Sequence, residues 1–100
     1  MALFLIHALD KPGSTDIRMA NRPAHLDWAR AHADKIAMAG PMFTGDGKTM
    51  AGSCFVISFD SLADAKAWAA EDPYAKAGLF GQVTITPFKW VIGEGKPADA

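Results

Sequence analysis

The segment LFLIHAL, residues 3–9, constrains the fold most strongly, because as a strand it would be apolar on both faces. Side chains alternate between the two faces of a sheet, so Phe4 and Ile6 oppose Leu3 and Leu5. A sheet with one face in water should alternate more clearly between apolar and polar residues. We therefore expect the second face to pack on another layer, most simply the same face of a second subunit.

The predicted elements follow in the order β-α-β-β-α-β. The first half contains a strand over 3–9, a helix capped by Asn21 with Pro23 in its first turn and ending near Gly40-Pro41, and an edge strand over 41–44. The second half contains a strand over 53–59, a helix opened by Ser61 and Asp64 and stopped by Pro73, and a strand over 82–92. This order predicts an α+β, ferredoxin-like fold with a four-stranded antiparallel sheet. A single domain over residues 1–95 and a disordered tail over residues 96–100 are expected.

Charge and cysteine content argue against several classes of protein. Ten Lys and Arg residues against eleven Asp and Glu give a net charge of −1, and neither sign clusters, so binding to nucleic acid or an anionic membrane is not expected. No apolar run approaches the ~20 residues that span a bilayer. Cys54 is the single cysteine, which excludes an intrachain disulfide. The histidines lack metal-ligand spacing with carboxylates, and a cytoplasmic location is expected.

His25 is the first candidate for chemistry. His25, Trp28 and His32 lie on one line along the first predicted helix, at i, i+3 and i+7. This line borders the apolar stripe, so His25 would lie at the edge of the buried face. There it can act as an acid or base near neutral pH, or it can simply be a hydrated polar residue at the rim of the helix.

Asp72 is the second candidate, because a carboxylate at the end of a helix opposes the helix dipole. It can cap a new turn that begins at Pro73, or it can accept an imidazole N–H and orient that ring. Both roles can hold together. If they do, an Asp72 oxygen should lie roughly 2.6–3.2 Å from a ring nitrogen of His25. Ser53, at the start of a strand, can bind a ligand or Asp72, or be only a strand-start residue.

Five segments, in this order and at these spacings, resemble the YciI-like, or YCII-related domain, family. They are RPAHL, AGPM, GSCFVISFDSLADAKAW, DPYAKAGLF and ITPFKWV, which extend over roughly residues 3–92. The resemblance implies a ferredoxin-like subunit that forms a dimeric α+β barrel, with two sheets packed face to face. This agrees with the strands that are apolar on both faces.

The resemblance also implies a His/Asp site pair, which matches His25 and Asp72, and further site positions that match Arg22, Pro41 and Ser53. A related member of the family is a dehydrochlorinase that acts on a chlorinated hydroxyhydroquinone without a metal or organic cofactor. The expected function is therefore cofactor-free acid–base chemistry on a small aromatic or enol-type molecule: proton abstraction, isomerisation or elimination. His25 would be the base, Asp72 its orienting partner, and the other residues substrate contacts. The alternative is a non-catalytic module that binds a small ligand in the same pocket.

Overall fold

The computed structural model describes residues 2–97, which form a four-stranded sheet with its helices. The elements are β1 (Ala2–Asp10), α1 (Thr15–Ala31), a 3-10 turn (Ala33–Lys35), β2 (Ile36–Phe43), β3 (Met50–Phe59), α2 (Leu62–Ala70), α3 (Pro73–Lys76) and β4 (Phe80–Phe88). The strands lie in the order β2-β3-β1-β4, and all three pairings are antiparallel. The predicted ferredoxin-like α+β fold is confirmed.

The core lies between the inner face of the sheet and the helices. Ile6 pairs with Phe55, and Phe4 with Ile57, on the two central strands β1 and β3. These four side chains are buried with Ala65 and Trp68 of α2. Removal of large apolar side chains from water is the main favourable contribution to folding. The two central strands therefore form the stable base against which the helices pack.

The first helix differs from its prediction at both ends. It begins at Thr15, before Asn21, so that Pro23 lies inside it, and it ends at Ala31. A proline inside a helix removes one backbone hydrogen bond, but the side-chain hydrogen bonds of Arg18 and His25, on either side of it, hold α1 in place. The Asn21 side chain donates to the Ile17 carbonyl at 2.9 Å and caps nothing. Local propensity placed the start too late because it could not include these tertiary contacts.

The predicted helix end at Gly40-Pro41 is also wrong, because both residues lie within β2. Since β2 is an edge strand, a proline there leaves no central ladder hydrogen bond unmade. The Ser61 hydroxyl accepts from the backbone N–H of Asp64 at 3.1 Å, as predicted. The last strand ends at Phe88, earlier than expected.

Of the predicted tail, residues 96 and 97 are irregular and 98–100 lie outside the described residues. Within residues 2–97, no helix has the length and apolar character that crossing a membrane requires.

The face of the sheet opposite the helices, called the outer face below, is rich in apolar side chains. Its apolar members include Leu3, Leu5, Leu9, Met38, Met42, Val56 and Phe88. Met38 is 48% exposed, and Leu9 and Phe88 are each 38% exposed. Strands that are apolar on both faces, as inferred from the sequence, are therefore present in the fold.

Candidate active site

A cavity of about 350 Å³ lies between α1 and the β2–β3 side of the sheet. Its lining residues are Arg18, Arg22, His25, Leu26, Ala29, Arg30, Ala33, Ile36, Ala39, Gly40, Pro41, Met50, Ser53, Phe55 and Tyr74. Its volume falls at the lower end of the range for small-molecule sites, roughly 300–1,000 Å³. A mostly apolar wall with a few convergent polar groups is typical of such sites.

His25 lines this cavity and contacts Asp72, which is 47 residues away in the chain and is not part of the lining. The Nδ1–H of His25 donates to Oδ1 of Asp72 at 2.8 Å. The imidazole side chain is 12% exposed and the carboxylate 3% exposed. Because Nδ1 donates to the carboxylate, the neutral ring carries its free lone pair on Nε2, and Nε2 is the atom that can accept a proton. The hydrogen bond expected from the sequence is present.

Asp72 also caps α3, so both roles considered for it hold at once. The same Oδ1 atom accepts the backbone N–H of Tyr74 at 2.9 Å. Pro73 occupies the first turn of α3, where its missing N–H costs nothing. The carboxylate that orients the imidazole is therefore itself held by the backbone of the next turn.

Tyr74 lines the cavity and contacts both His25 and Arg18. Its ring stacks on the His25 ring, with centroids 4.0 Å apart and an angle of 13° between the planes. The guanidinium carbon of Arg18 lies over the same ring, 4.6 Å from its centroid. Burial raises the pKa of the Tyr74 hydroxyl above its usual value, and the positive charges of Arg18 and Arg22 oppose part of this rise. Tyr74 is therefore a neutral phenol at physiological pH.

Arg18 is a buried charge that sequence reasoning missed. Its Nε and Nη2 donate to the two carboxylate oxygens of Asp10 at 2.7 and 2.9 Å. Nη2 also donates to the Ser53 hydroxyl at 2.9 Å. Burial disfavours the charged guanidinium, but the hydrogen bond and negative charge of Asp10 outweigh it and raise the pKa of Arg18. A signal existed: Arg18, Arg22 and His25 have the spacing i, i+4, i+7, which becomes visible once the helix begins at Thr15.

Arg22, Pro41 and Ser53 line the cavity together with His25, whereas Asp72 does not. Ser53 is buried and contacts Arg18, so the considered bond from Ser53 to Asp72 is not made. Ser53 pairs across the strands with Pro41, whose ring forms part of the wall without a polar contact. Arg22 is an exposed member of the wall. Residues 2–97 contain no group of three or more His, Cys, Asp or Glu side chains placed to hold a metal ion.

Changing Asp72 in two ways should separate its two roles. In Asp72→Asn the amide oxygen can still cap α3, whereas Asp72→Ala loses the cap and should cost about 0.5–2 kcal/mol of unfolding free energy more than the asparagine variant. Both variants remove the charge that faces His25. Urea unfolding measures the stability difference. Equal stability of the two variants would show that the cap contributes nothing.

Tyr74 is the only tyrosine of the chain, so its ionisation can be followed by absorbance. Because its pKa is raised in the folded protein, Tyr74 should ionise only above the range of an exposed phenol, about 10. The folded state binds this proton more tightly than the unfolded state. Stability is therefore retained below pH ~10 and lost as the pH rises further. A titration curve that follows free tyrosine would contradict this burial.

Comparisons with known proteins agree on one family. The model of the YCII-related domain matches residues 2–89. The chain is 38% identical to protein YciI of Escherichia coli over 97 aligned positions, which cover 90% of this chain and 99% of that protein. It is 34% identical to an uncharacterized protein of Haemophilus influenzae, with 89% of this chain and 98% of that one covered.

Several solved structures resemble this fold. One is the 5-chloro-2-hydroxyhydroquinone dehydrochlorinase of Burkholderia phenoliruptrix in complex with 2,5-dihydroxybenzoquinone. It has a TM-score of 0.80 and 32% identity, and the match covers 95% of this chain and 99% of that one. An antibiotic biosynthesis monooxygenase matches with a TM-score of 0.55 and 12% identity, covering 92% of this chain and all of that one, which shows the fold alone.

Proposed function

The chain belongs to the YCII-related domain family, and we propose that its cavity is the active site of a cofactor-independent enzyme that does acid–base chemistry on a small ring molecule. One observation carries the proposal: the 2.8 Å bond from His25 to a buried carboxylate at the wall of a cavity. A histidine oriented in this way is the usual arrangement of a general base.

Each predicted residue has a role in this proposal. His25 takes a proton from the substrate through Nε2, and Asp72 holds the ring in that tautomer and stabilises the imidazolium that forms. Ser53 and Arg22 are the polar contacts to the substrate, and Pro41 shapes the wall. The stack of Tyr74 on His25 keeps the imidazole plane fixed while the proton moves.

The reaction we propose is elimination of the dehydrochlorinase type, by analogy with the enzyme of similar structure. His25 removes a proton from a ring hydroxyl, and the imidazolium returns it to the neighbouring ring carbon that carries chlorine, which gives the keto tautomer. His25 then takes the proton of a second hydroxyl, whose electron pair forms a second carbonyl as the adjacent double bond shifts towards the chlorinated carbon and chloride leaves with the C–Cl bonding pair. The substrate loses HCl overall and exchanges no electrons with a second molecule. The chemistry therefore needs only a base, an orienting group and a closed pocket.

Anaerobic incubation with 5-chloro-2-hydroxyhydroquinone tests this proposal, with released chloride as the readout and a protein-free sample as the control. Chloride release that rises in proportion to protein concentration supports an enzyme. If the compound binds but returns intact, the chain is instead a ligand-binding module. An unbiased metabolite screen then replaces the single compound, and depletion of no metabolite would overturn the enzymatic proposal.

We also propose a cytoplasmic location, which cell fractionation checks.

We further propose that two copies pack through the outer face and form the dimeric α+β barrel. Leu9, Met38 and Phe88 on this face are exposed in one chain and would be covered by the second. At about 25 cal/mol per Å² of covered apolar surface, such a layer supplies a strong driving force. A chain of 100 residues has a small core of its own and gains from this contact.

Sedimentation at micromolar concentration should therefore give a mass about twice 10.7 kDa. Leu5→Lys places a charge in the middle of the outer face and should produce monomers. Ala67→Lys, on an exposed position of α2, adds the same charge elsewhere and should leave the dimer intact. A monomeric wild-type protein that remains folded would rule out this assembly.

A further inference from the structure

The charges that line the cavity are all of one sign. Three arginines, Arg18, Arg22 and Arg30, contribute to the wall, and no Asp or Glu does. Arg18 is neutralised by Asp10, which lies behind it. Among the ion pairs formed by residues 2–97, none involves Arg22 or Arg30. Two exposed arginines without a carboxylate partner therefore border a mostly apolar space.

Arg22 and Arg30 lie at the mouth of the cavity. Both also line a second depression along α1, together with Met19, Pro23, Leu26 and Asp27. A residue that borders both spaces must lie at the edge between them. Arg22 is one turn from Arg18 and one turn from His25, so it shares their line along the helix. Arg30 is five residues beyond His25 and lies off that line.

From this arrangement, and resting on the proposed function, we infer that the cavity accepts its substrate as an anion: a planar ring that carries one ionised oxygen group, a carboxylate or an acidic ring hydroxyl, held by Arg22. A guanidinium presents paired N–H donors that match two oxygens of such a group. Phe55 and the aliphatic wall accommodate the ring itself. Arg30 contributes attraction at longer range, which solvent and salt weaken.

Arg22 and His25 then act on opposite ends of one molecule. The anionic end is held at the mouth, while the acidic proton is directed towards the imidazole deeper in the cavity. A neutral ring of the same shape would leave both guanidinium groups unpaired at the entrance. The enzyme should therefore discriminate by charge before any chemistry occurs.

Calorimetric titration with 4-hydroxybenzoate and 4-hydroxybenzamide tests this inference, because the two probes share ring, hydroxyl and approximate shape and differ in charge. The acid should bind at least about tenfold more tightly than the amide, which is the difference expected from one charge-assisted hydrogen bond. In Arg22→Gln the two affinities should agree within about threefold. Arg30→Gln should weaken the acid by about two- to threefold, and Lys66→Gln, an exposed charge on α2, should change neither.

Three outcomes would overturn the inference: equal affinity of the two probes for the wild type, no measurable binding of either, or unchanged affinity of the acid in Arg22→Gln. Neither probe carries chlorine, so this result is independent of turnover. Chloride release without a preference for the acid removes only the charge selection. A preference for the acid without turnover of any compound removes only the catalytic proposal.

Discussion

Asp10→Ala is expected to destabilise the folded protein by about 3–5 kcal/mol, because it leaves the Arg18 guanidinium buried without its counter-ion. The two side chains are 2% and 6% exposed, so water cannot replace the lost carboxylate without a structural change. A domain of this kind has about 5–15 kcal/mol of total stability, so the variant should unfold at much lower urea concentration or fail to fold. Urea unfolding followed by tryptophan fluorescence measures the loss.

A double-mutant cycle makes this result specific. Arg18→Met fills similar space without a charge, and Asp10→Ala in that background should cost far less than in the wild type. If Asp10→Ala alone does not fold, Asp10→Asn keeps a hydrogen-bond acceptor and gives a measurable intermediate. Equal costs of Asp10→Ala in both backgrounds would mean that the pair does not act as a pair.

His25→Gln is expected to reduce kcat/KM for chloride release by about 10²–10⁴-fold, since a glutamine amide cannot take the proton at neutral pH. The side chain is close in size, so the cavity should keep its shape and the affinity for 4-hydroxybenzoate should change little. A loss in turnover with retained binding is the result expected for a base. Single-turnover measurements under anaerobic conditions separate the two quantities.

His32→Gln is the matched control, because His32 is a second histidine of the same helix, at the C-terminal end of α1. Its Nδ1 bonds to the Trp28 carbonyl at 2.8 Å, and its ring lies outside the cavity lining. Turnover should remain within about twofold of wild type, as for a change that touches no substrate. Comparable losses in both variants would point to damage to the helix and would remove His25 from its proposed role.

The strands of this fold could be predicted from sequence because their signals are local. Alternation placed Phe55 and Ile57 on one face of β3, and both are in the core. The boundaries of α1 and β2 could not be predicted, because Pro23 is typical of a helix start and Gly40-Pro41 of a helix end. Both prolines are tolerated through packing and edge position, which depend on residues far away in the chain.

Part of the candidate site could also be predicted from the sequence, because some of its signals are local. His25 and Asp72 each stand out locally, one beside an apolar stripe and the other at the wrong end of a helix dipole. Arg18 stands out only once α1 is known to begin at Thr15, because its partners Asp10 and Ser53 belong to strands that are brought to it only by the fold. Arginine is mostly exposed in proteins, so an arginine in a sequence is expected at the surface unless a carboxylate partner is known.

Asp72, one member of the proposed pair, is positioned by α3, the shortest α-helix of the described residues. α3 has four residues, and a helix of that length has no stability of its own. It is held by the buried side chains of Tyr74 and Leu79, by the left-handed turn at Gly78, and by the bond from the Lys11 amide to the Leu79 carbonyl at 2.8 Å. Sub-global opening of this segment would uncouple Asp72 from His25 while β1 and β3 remain paired. Amides of residues 76–79 should then exchange with deuterium before those of the central strands, and that local equilibrium sets the fraction of molecules in which the bond between His25 and Asp72 is formed.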